Sequence, residues 1–513
     1  MSRPQTFPKF PVRCSALSSI AFLRLATAHA DDATSDLRRL PHDAPCFHVD
    51  RAELVGAHAE RFAWLQRELD AVRGQCVGVT ALHAIKRDLD ARLLERGYTT
   101  SRVGFGAQDL ATGTLRVQLH AGVVAEVRVD ADGEPPPAAW SELFAQPVGA
   151  PFELRRLEQG LDLADRLPSQ RVRVRIEPST QPGGSVLVVE RAPGAARRLH
   201  GAVRVDNGAV AAHRRARVIA ALALDQPSWR NDQLTLAATS SVLGLSPQRR
   251  AQSAALGYSV PWRGTLCEID WMAQRTARGV QTSSAHFVSS SNVEQWRAQW
   301  QWPLARSGAQ RWRAHAAFTH WHAHGWLDDF ELEVQRRDTD VVELGVDGLQ
   351  LHDRGRSTWR VALREELGAA SPGVSAVRAL RAQAQYAARF GSWSSQWTAS
   401  AQLGRSGMPQ EECFIPGLPG FDSSQGPVAG SGAALQHELA RTLQLSGDWR
   451  AAAFVDVGVA RLAQAAQLLA GAAIGVQAKR GAMSLEFALA APWRRAQGSS
   501  AAPVCSASVT AHF

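Results

Sequence analysis

Six cysteines are the first residues whose chemistry can be read from this chain of 513 residues. Cys46 and Cys76 flank a stretch of helical periodicity near the N-terminus. In an oxidising compartment they are candidates for a disulfide; the alternative is two buried free thiols. Cys14 falls in the first thirty residues. Cys267, Cys413 and Cys505 are isolated, with no spacing to histidine of the kind that holds zinc. Catalytic patterns are missing: the sequence has no Gly-x-Ser-x-Gly elbow, no His-Glu-x-x-His helix and no Gly-x-x-x-x-Gly-Lys phosphate loop. The adjacent carboxylates Glu365 and Glu366 fall on opposite faces of one strand, so they cannot share a reacting centre. We therefore expect no enzyme, no cofactor and no metal site.

The elements that would position functional groups are mostly strands. From Ser392 to Gln402, Trp393, Ser395, Trp397, Ala399 and Ala401 occupy one parity, and Ser394, Gln396, Thr398, Ser400 and Gln402 the other. Met483, Leu485, Phe487 and Leu489 oppose Ser484, Glu486 and Ala488 in the same way. Val509, Ala511 and the final residue, Phe513, oppose Ser508, Thr510 and His512. Period two with one apolar face suits a strand between lipid and water, and also a soluble sandwich. Further strands are read at Val218 to Leu224, Leu234 to Ala238, Trp359 to Leu363 and Leu380 to Phe390. Residues 197 to 513 give about 20 residues per strand and connection if divided among 16 strands of ~10 residues. Trp302, Trp312, Trp393, Trp397 and Trp493 are candidates for an aromatic girdle at strand ends.

The N-terminus reads as an export signal. Arg3, Lys9 and Arg13 precede a mostly apolar run, Cys14 to Thr27, interrupted by Arg24, and Ala28-His29-Ala30 fits a cleavage site before Asp31. The alternative is a disordered basic start. No later segment has the ~18 uninterrupted apolar residues of a membrane helix, so membrane entry requires a closed barrel. Hydrophobic residues make up 45% of the chain and its mean hydropathy is −0.19, which suits a barrel with a polar lumen or several soluble domains. The net charge of +9 falls to +5 without the four cations of the signal, and the remaining cations are dispersed. Nucleic acid is not an expected partner.

Residues 31–44 read as a flexible leader too short to carry a plug helix, which leaves the N-terminus outside any pore. Two modules of about 75 residues follow, 45–121 and 122–191. The first has a strand at Phe47 to Val49 and a helix at His58 to Val72. A second helix, capped by Thr80, bears Leu82, Ile85, Leu89 and Leu93, and strands follow at Tyr98 to Val103 and Thr114 to Leu119. The second repeats this order more weakly: a strand at Val123 to Val129, helical segments at Trp140 to Phe144 and Glu153 to Arg166, and strands at Val172 to Ile176 and Val186 to Val189. A linker, 192–198, leads to a segment of strands and turns, 199–513.

Taken in order, Cys46-Phe47-His48-Val49, Gly74-Gln75-Cys76-Val77-Gly78, Arg96-Gly97-Tyr98-Thr99-Thr100, Gln108-Asp109-Leu110 and Gly113-Thr114-Leu115 resemble the first POTRA module of the two-partner secretion translocators of the haemolysin and filamentous-haemagglutinin type. Arg171 to Glu177 with Pro182-Gly183-Gly184-Ser185 resembles the end of the second module. Val205-Asp206-Asn207-Gly208, Asp225-Gln226-Pro227, Asn231-Asp232-Gln233-Leu234 and Tyr258-Ser259-Val260-Pro261 resemble the first barrel strands. The resemblance covers nearly the whole chain after the signal. It implies two small α+β POTRA modules in the periplasm and an antiparallel transmembrane β-barrel, expected to have 16 strands, in the bacterial outer membrane. It also implies an unfolded secreted exoprotein as partner, outer-membrane lipid around the barrel, and the barrel-assembly machinery acting through the C-terminal Phe513 during biogenesis. The alternative within this superfamily is a factor that inserts other barrels.

Phe454-Val455-Asp456-Val457-Gly458 resembles the strand motif that receives an inward-folded sixth loop. In the family an arginine at the loop tip pairs with the strand aspartate. The aligned tip here is Ile415-Pro416-Gly417-Leu418-Pro419-Gly420-Phe421, with Pro419 where the arginine would stand, and no arginine occurs from Met408 to Glu438. Gly417, Gly420, Phe421, Asp456 and Gly458 are the candidate lock residues. With no cation from the loop, Asp456 is expected beside backbone amides of the Gly417 to Phe421 tip or an arginine of another strand.

Overall fold

The computed structural model describes residues 37–130, 137–191, 197–207, 216–241, 249–281, 286–368, 376–409, 412–421, 428–445, 448–463, 467–494 and 503–513. The expected signal, 1–30, and most of the linker, 192–198, lie outside the described residues.

The first module folds around a helical stripe. Phe62, Leu65 and Leu69 from one helix and Ile85, Leu89 and Leu93 from the next are buried against Leu115, Val117 and Leu119 of a strand, Thr114–His120. That strand is the middle of a three-stranded sheet, parallel to Arg51–Val55 and antiparallel to Arg102–Gly104. The sequence reading missed Arg51–Val55, whose alternation rests only on Ala52 and Leu54. The helix Val79–Glu95 is not capped by Thr80. Its N-cap is Gly78, and the Asp43 carboxylate accepts from the Thr80 amide at 2.8 Å. Asp43 belongs to the segment expected to be a flexible leader, and from residue 37 that segment is anchored. Leu37 is buried, and Gln75 donates to the Leu37 carbonyl at 2.8 Å and accepts from the Leu40 amide at 3.1 Å. Two apolar side chains and one polar clamp tie this stretch to the module, outside the barrel.

The second module repeats the plan. Strands Val123–Val129 and Gly184–Arg191 run parallel, with Val172–Pro178 antiparallel on the far side of Gly184–Arg191. The helices Pro137–Phe144 and Leu154–Asp165 cover this sheet through Trp140, Phe144, Leu157 and Ala164.

From Leu199 onward sixteen long antiparallel strands close into a barrel, with the two-residue strand Phe330–Glu331 added in one connection. Closure joins the last strand, Val504–His512, to the first, Leu199–Asp206, over five residue pairs, extended by mutual backbone hydrogen bonds of 3.0 Å between Gly201 and Phe513. This is the shortest register between neighbours in the barrel wall. A Cβ on Gly201 would lie 2.7 Å from the Phe513 ring, so the glycine makes room for the terminal aromatic.

Along each strand the large apolar side chains point outward into an exposed belt that includes Leu236, Ile269, Phe318, Leu344, Leu363 and Ile474. A soluble protein would bury these groups; a lipid-facing wall exposes them. Among the described residues no helix is long and apolar enough to cross a membrane. Trp312 and Trp393 stand at the starts of their strands and Trp262 at the end of its strand, all at the end of the barrel that faces the second module, whereas Trp493 sits near the opposite end. Ring contacts link Trp262 to Trp300, Trp300 to Trp302 and Trp312 to Trp359.

Candidate functional site in the barrel lumen

Cys46 and Cys76 are joined as a disulfide, with Cα atoms 5.4 Å apart. The bond staples the start of Phe47–His48 to its paired strand Cys76–Val77.

The second module is clamped to the near mouth of the barrel. Arg306 at the end of the sixth barrel strand, His286–Arg306, meets Glu158 at 3.1 Å and also pairs with Asp162. Arg311 reaches Asp162 at 2.7 Å. Arg166 donates to the Asn231 carbonyl at 2.7 Å, and the Asp225 carboxylate accepts from the Ser169 amide at 3.0 Å. Burial in this joint lowers the Arg166 pKa, against the opposing pull of Glu268, Asp225 and Asp232. A module held by this many groups stands in fixed register with the pore entrance.

Between the eleventh strand, Trp393–Gly404, and the twelfth, Gly432–Gln444, residues 412–421 of the long connection pack against the lumen side of the wall. Phe414 and Leu418 are buried in a cluster with Ala460, Leu462 and Leu469. The tip enters a notch made by two glycines that face each other across strands thirteen, Arg450–Leu462, and fourteen, Gln467–Arg480. A Cβ at Gly458 would stand 2.7 Å from Leu418, and one at Gly471 would stand 1.9 Å from the Pro419 carbonyl oxygen. Gly417 and Gly420 have φ of 65° and 77°, the left-handed region that favours glycine, and a Cβ at Gly420 would press on Ala491 of strand fifteen, Met483–Arg494. Gly420, Phe421 and Gly458 are thus brought together, with Gly471 as a contributor that the sequence reading did not find.

Asp456 does not join them as expected. It accepts from Gln436 Nε2 at 2.6 Å, and its other oxygen has no hydrogen-bond partner among the described residues. It touches neither an arginine nor the amides of the Gly417 to Phe421 tip. The reason is geometric: Gly458, two residues along the strand, takes the tip as an apolar contact with Leu418 and Pro419, and Asp456, which lies opposite Glu438, is bonded by the diagonal neighbour Gln436.

The charges that meet the loop lie on another part of the wall. Glu412, nearly fully buried, is gripped side-on by Arg364 of the ninth strand, Gly355–Leu367, through Nε at 3.0 Å and Nη2 at 2.7 Å. Arg381 of the tenth strand, Arg378–Phe390, donates to the same carboxylate at 2.7 Å and to the Glu412 carbonyl at 2.9 Å. Gln402 adds bonds to the carbonyls of Glu412 at 2.8 Å and Gly430 at 3.1 Å. Behind Arg364 the network continues through Glu343 to Arg297 and His315, and from His315 to Asp347 and Arg360. Charged residues at lumen parity were visible in the sequence; that they converge on Glu412 was not.

Similarity to known proteins agrees with this architecture. The family profile for haemolysin secretion/activation protein ShlB/FhaC/HecB matches residues 183–478, a ShlB-type POTRA profile matches 47–122, and a second POTRA profile matches 123–178. The outer membrane transporter CdiB-2 of Burkholderia pseudomallei is 26% identical over 366 residues, which is 67% of this chain and 62% of that protein. The chain thus aligns with about three fifths of that relative. The structures of CdiB from Escherichia coli and Acinetobacter baumannii have the same fold. Their TM-scores are 0.78 and 0.79 at 21% and 19% identity, covering 93% of this chain and 94% and 92% of theirs. Two POTRA modules, a closed sixteen-strand barrel and an inward loop, together with a profile match over more than half its length, place the chain in the ShlB/FhaC/HecB haemolysin secretion/activation family of the outer membrane.

Proposed function

We propose that this protein exports a large, extended exoprotein from the periplasm to the cell surface by two-partner secretion. The observation that carries this reading is a polar-lined barrel whose mouth is clamped to the second of two POTRA modules, each built on a three-stranded sheet. The edges of these sheets are not equally free: Gln66 bonds the Leu54 amide and the Ala52 carbonyl of Arg51–Val55, Asp90 accepts from the Val103 amide of Arg102–Gly104, and Val124 of Val123–Val129 pairs with Gly149 and Ala150, which makes Val172–Pro178, bonded on one side to Gly184–Arg191, the edge best placed to receive a chain. An unpaired edge can take an extended chain as an added strand, binding through main-chain hydrogen bonds without a fixed sequence. The exposed apolar belt would face outer-membrane lipid, and Phe513 at the seam would serve as the C-terminal signal for the barrel-assembly machinery. Folding of the exported partner outside the cell would supply the driving force. The names of the relatives, outer membrane transporters, agree with this reading and give no support to catalysis.

The test is deletion of the gene followed by an inventory of large proteins in the culture medium. We expect one large exoprotein to disappear from the medium and to return with the intact gene. An unchanged medium together with a general loss of outer-membrane barrels would replace export with the barrel-insertion reading.

A further inference from the structure

We infer that Glu412 is the residue that holds the long loop inside the pore, through an ion-pair lock whose charges are reversed from the one the family resemblance implies. Here the loop brings the carboxylate and the wall brings the cations, Arg364 and Arg381. The inference deepens the export reading, since a loop in the bore matters to function only if the bore conducts.

Three observations lead to it. First, both sides of the pair are taken out of water: the side chains of Glu412 and Arg364 are 4% and 5% exposed. An unpaired charge in such a place is costly, so release of the loop leaves Arg364 with Glu343 alone and requires Glu412 to be rehydrated. Second, the geometry is the strong kind: a two-point contact from Arg364 at 2.7 and 3.0 Å, reinforced by Arg381 at 2.7 Å. Third, the backbone around Glu412 is fixed as well, by Arg381 and Gln402 on its carbonyl, while Ser431 and Gly404 tie the two stems of the loop together at 2.9 and 3.0 Å. Met408, beside the same limb, packs on Val341, Val377 and Ala379. The loop is therefore held at two places. Its descending limb is bound by charge to strands nine to eleven, and its tip is bound by shape to strands thirteen to fifteen. Asp456, the acid that the family resemblance implied as the loop's partner, is bonded by Gln436. The ion pair thus lies elsewhere on the wall with its polarity reversed, and the tip of the loop carries no arginine.

The test uses full-length protein in outer-membrane vesicles, with Leu418→Cys as reporter in a background of Cys267→Ser, Cys413→Ser and Cys505→Ser. Leu418 is buried, so maleimide labels it only when the loop leaves its seat. Glu412→Gln should raise the labelling rate at least tenfold, and Glu412→Asp, which keeps the charge on a shorter stem, should fall between. Arg381→Gln should also raise the rate. The double change Glu412→Gln with Arg381→Gln should add less than the product of the two single effects, because both remove one contact. Heat-modifiable migration on gels checks that each barrel is closed. A labelling rate for Glu412→Gln equal to the parent's, in a closed barrel, would overturn the inference, as would full multiplicativity of the two changes. Labelling reads the loop and not export, so a failure of the export reading leaves this result interpretable.

Discussion

Gly471→Ala is the substitution whose consequence can be worked most directly from the geometry. The added methyl would sit 1.9 Å from the Pro419 carbonyl oxygen, about half an ordinary contact distance, and the clash is with backbone rather than with a side chain that could rotate away. Either the loop tip retreats by more than an ångström or the strand shifts. Overpacking of this kind costs about 1–3 kcal/mol. If seated and unseated tips are in equilibrium, that corresponds to roughly a 5- to 150-fold shift toward the unseated form, at about 1.4 kcal/mol per factor of ten. Gly458→Ala is the internal comparison. Its methyl would meet the end of the Leu418 side chain at 2.7 Å and Pro419 Cδ at 3.2 Å, and a leucine can change rotamer, so a smaller effect is expected. Single-channel recording in planar bilayers reads the outcome: more frequent or larger openings for Gly471→Ala, a weaker change for Gly458→Ala, and normal heat-modifiability for both. If Gly471→Ala conducts like the parent, or the order of the two is reversed, the tip does not rest in the glycine notch as described.

Four further outcomes are expected. Arg306→Ala removes two acidic partners from the joint between the second module and the barrel. Because Glu158 and Asp162 are each about a third exposed, the net loss should be about 1–2 kcal/mol rather than the gross Coulomb value, read as a broader spin-label distance distribution that the parent reproduces only in high salt. Gly201→Val should press on the Ala221 carbonyl oxygen as well as the Phe513 ring, so Phe513→Ala is the cleaner variant: it should lower the temperature at which the folded band converts to the unfolded one, and an unchanged conversion temperature would show that the terminal aromatic does not support the seam. Reduction of the Cys46–Cys76 bond, which closes a loop of separation 30, should cost about 3–4 kcal/mol and speed proteolysis of the first module while the barrel stays intact. Asp456→Ala loses one hydrogen bond, to Gln436, worth about 1 kcal/mol. Export should stay within about twofold of the parent, and a severe defect would return Asp456 to the lock.

Much of the architecture was legible along the chain because its signals are local. Period-two alternation ending on Phe513 marked the wall, and the leucine stripe at Ile85, Leu89 and Leu93 marked the second helix of the first module, since side-chain parity and helical spacing are properties of a few neighbouring residues. Cys46 and Cys76 could be named as a candidate pair from the compartment and their places around one helix. Arg51–Val55 escaped because two small apolar residues make a faint alternation, and its strand identity comes from pairing with Thr114–His120, more than sixty residues away. The capping of Val79–Glu95 by Asp43 and the anchoring of Leu37 likewise needed partners that only folding brings close. The loop lock is the clearest case. The sequence by itself determined that the tip lacks an arginine and that Asp456 would therefore need another partner. Only the tertiary structure decided that Gln436 takes that place, that Gly471 faces Gly458 to seat Pro419, and that Arg364 and Arg381 converge on Glu412. An ion pair in a barrel depends on shear, strand register and the path of a long loop, and none of these is written in the spacing of the residues that form it.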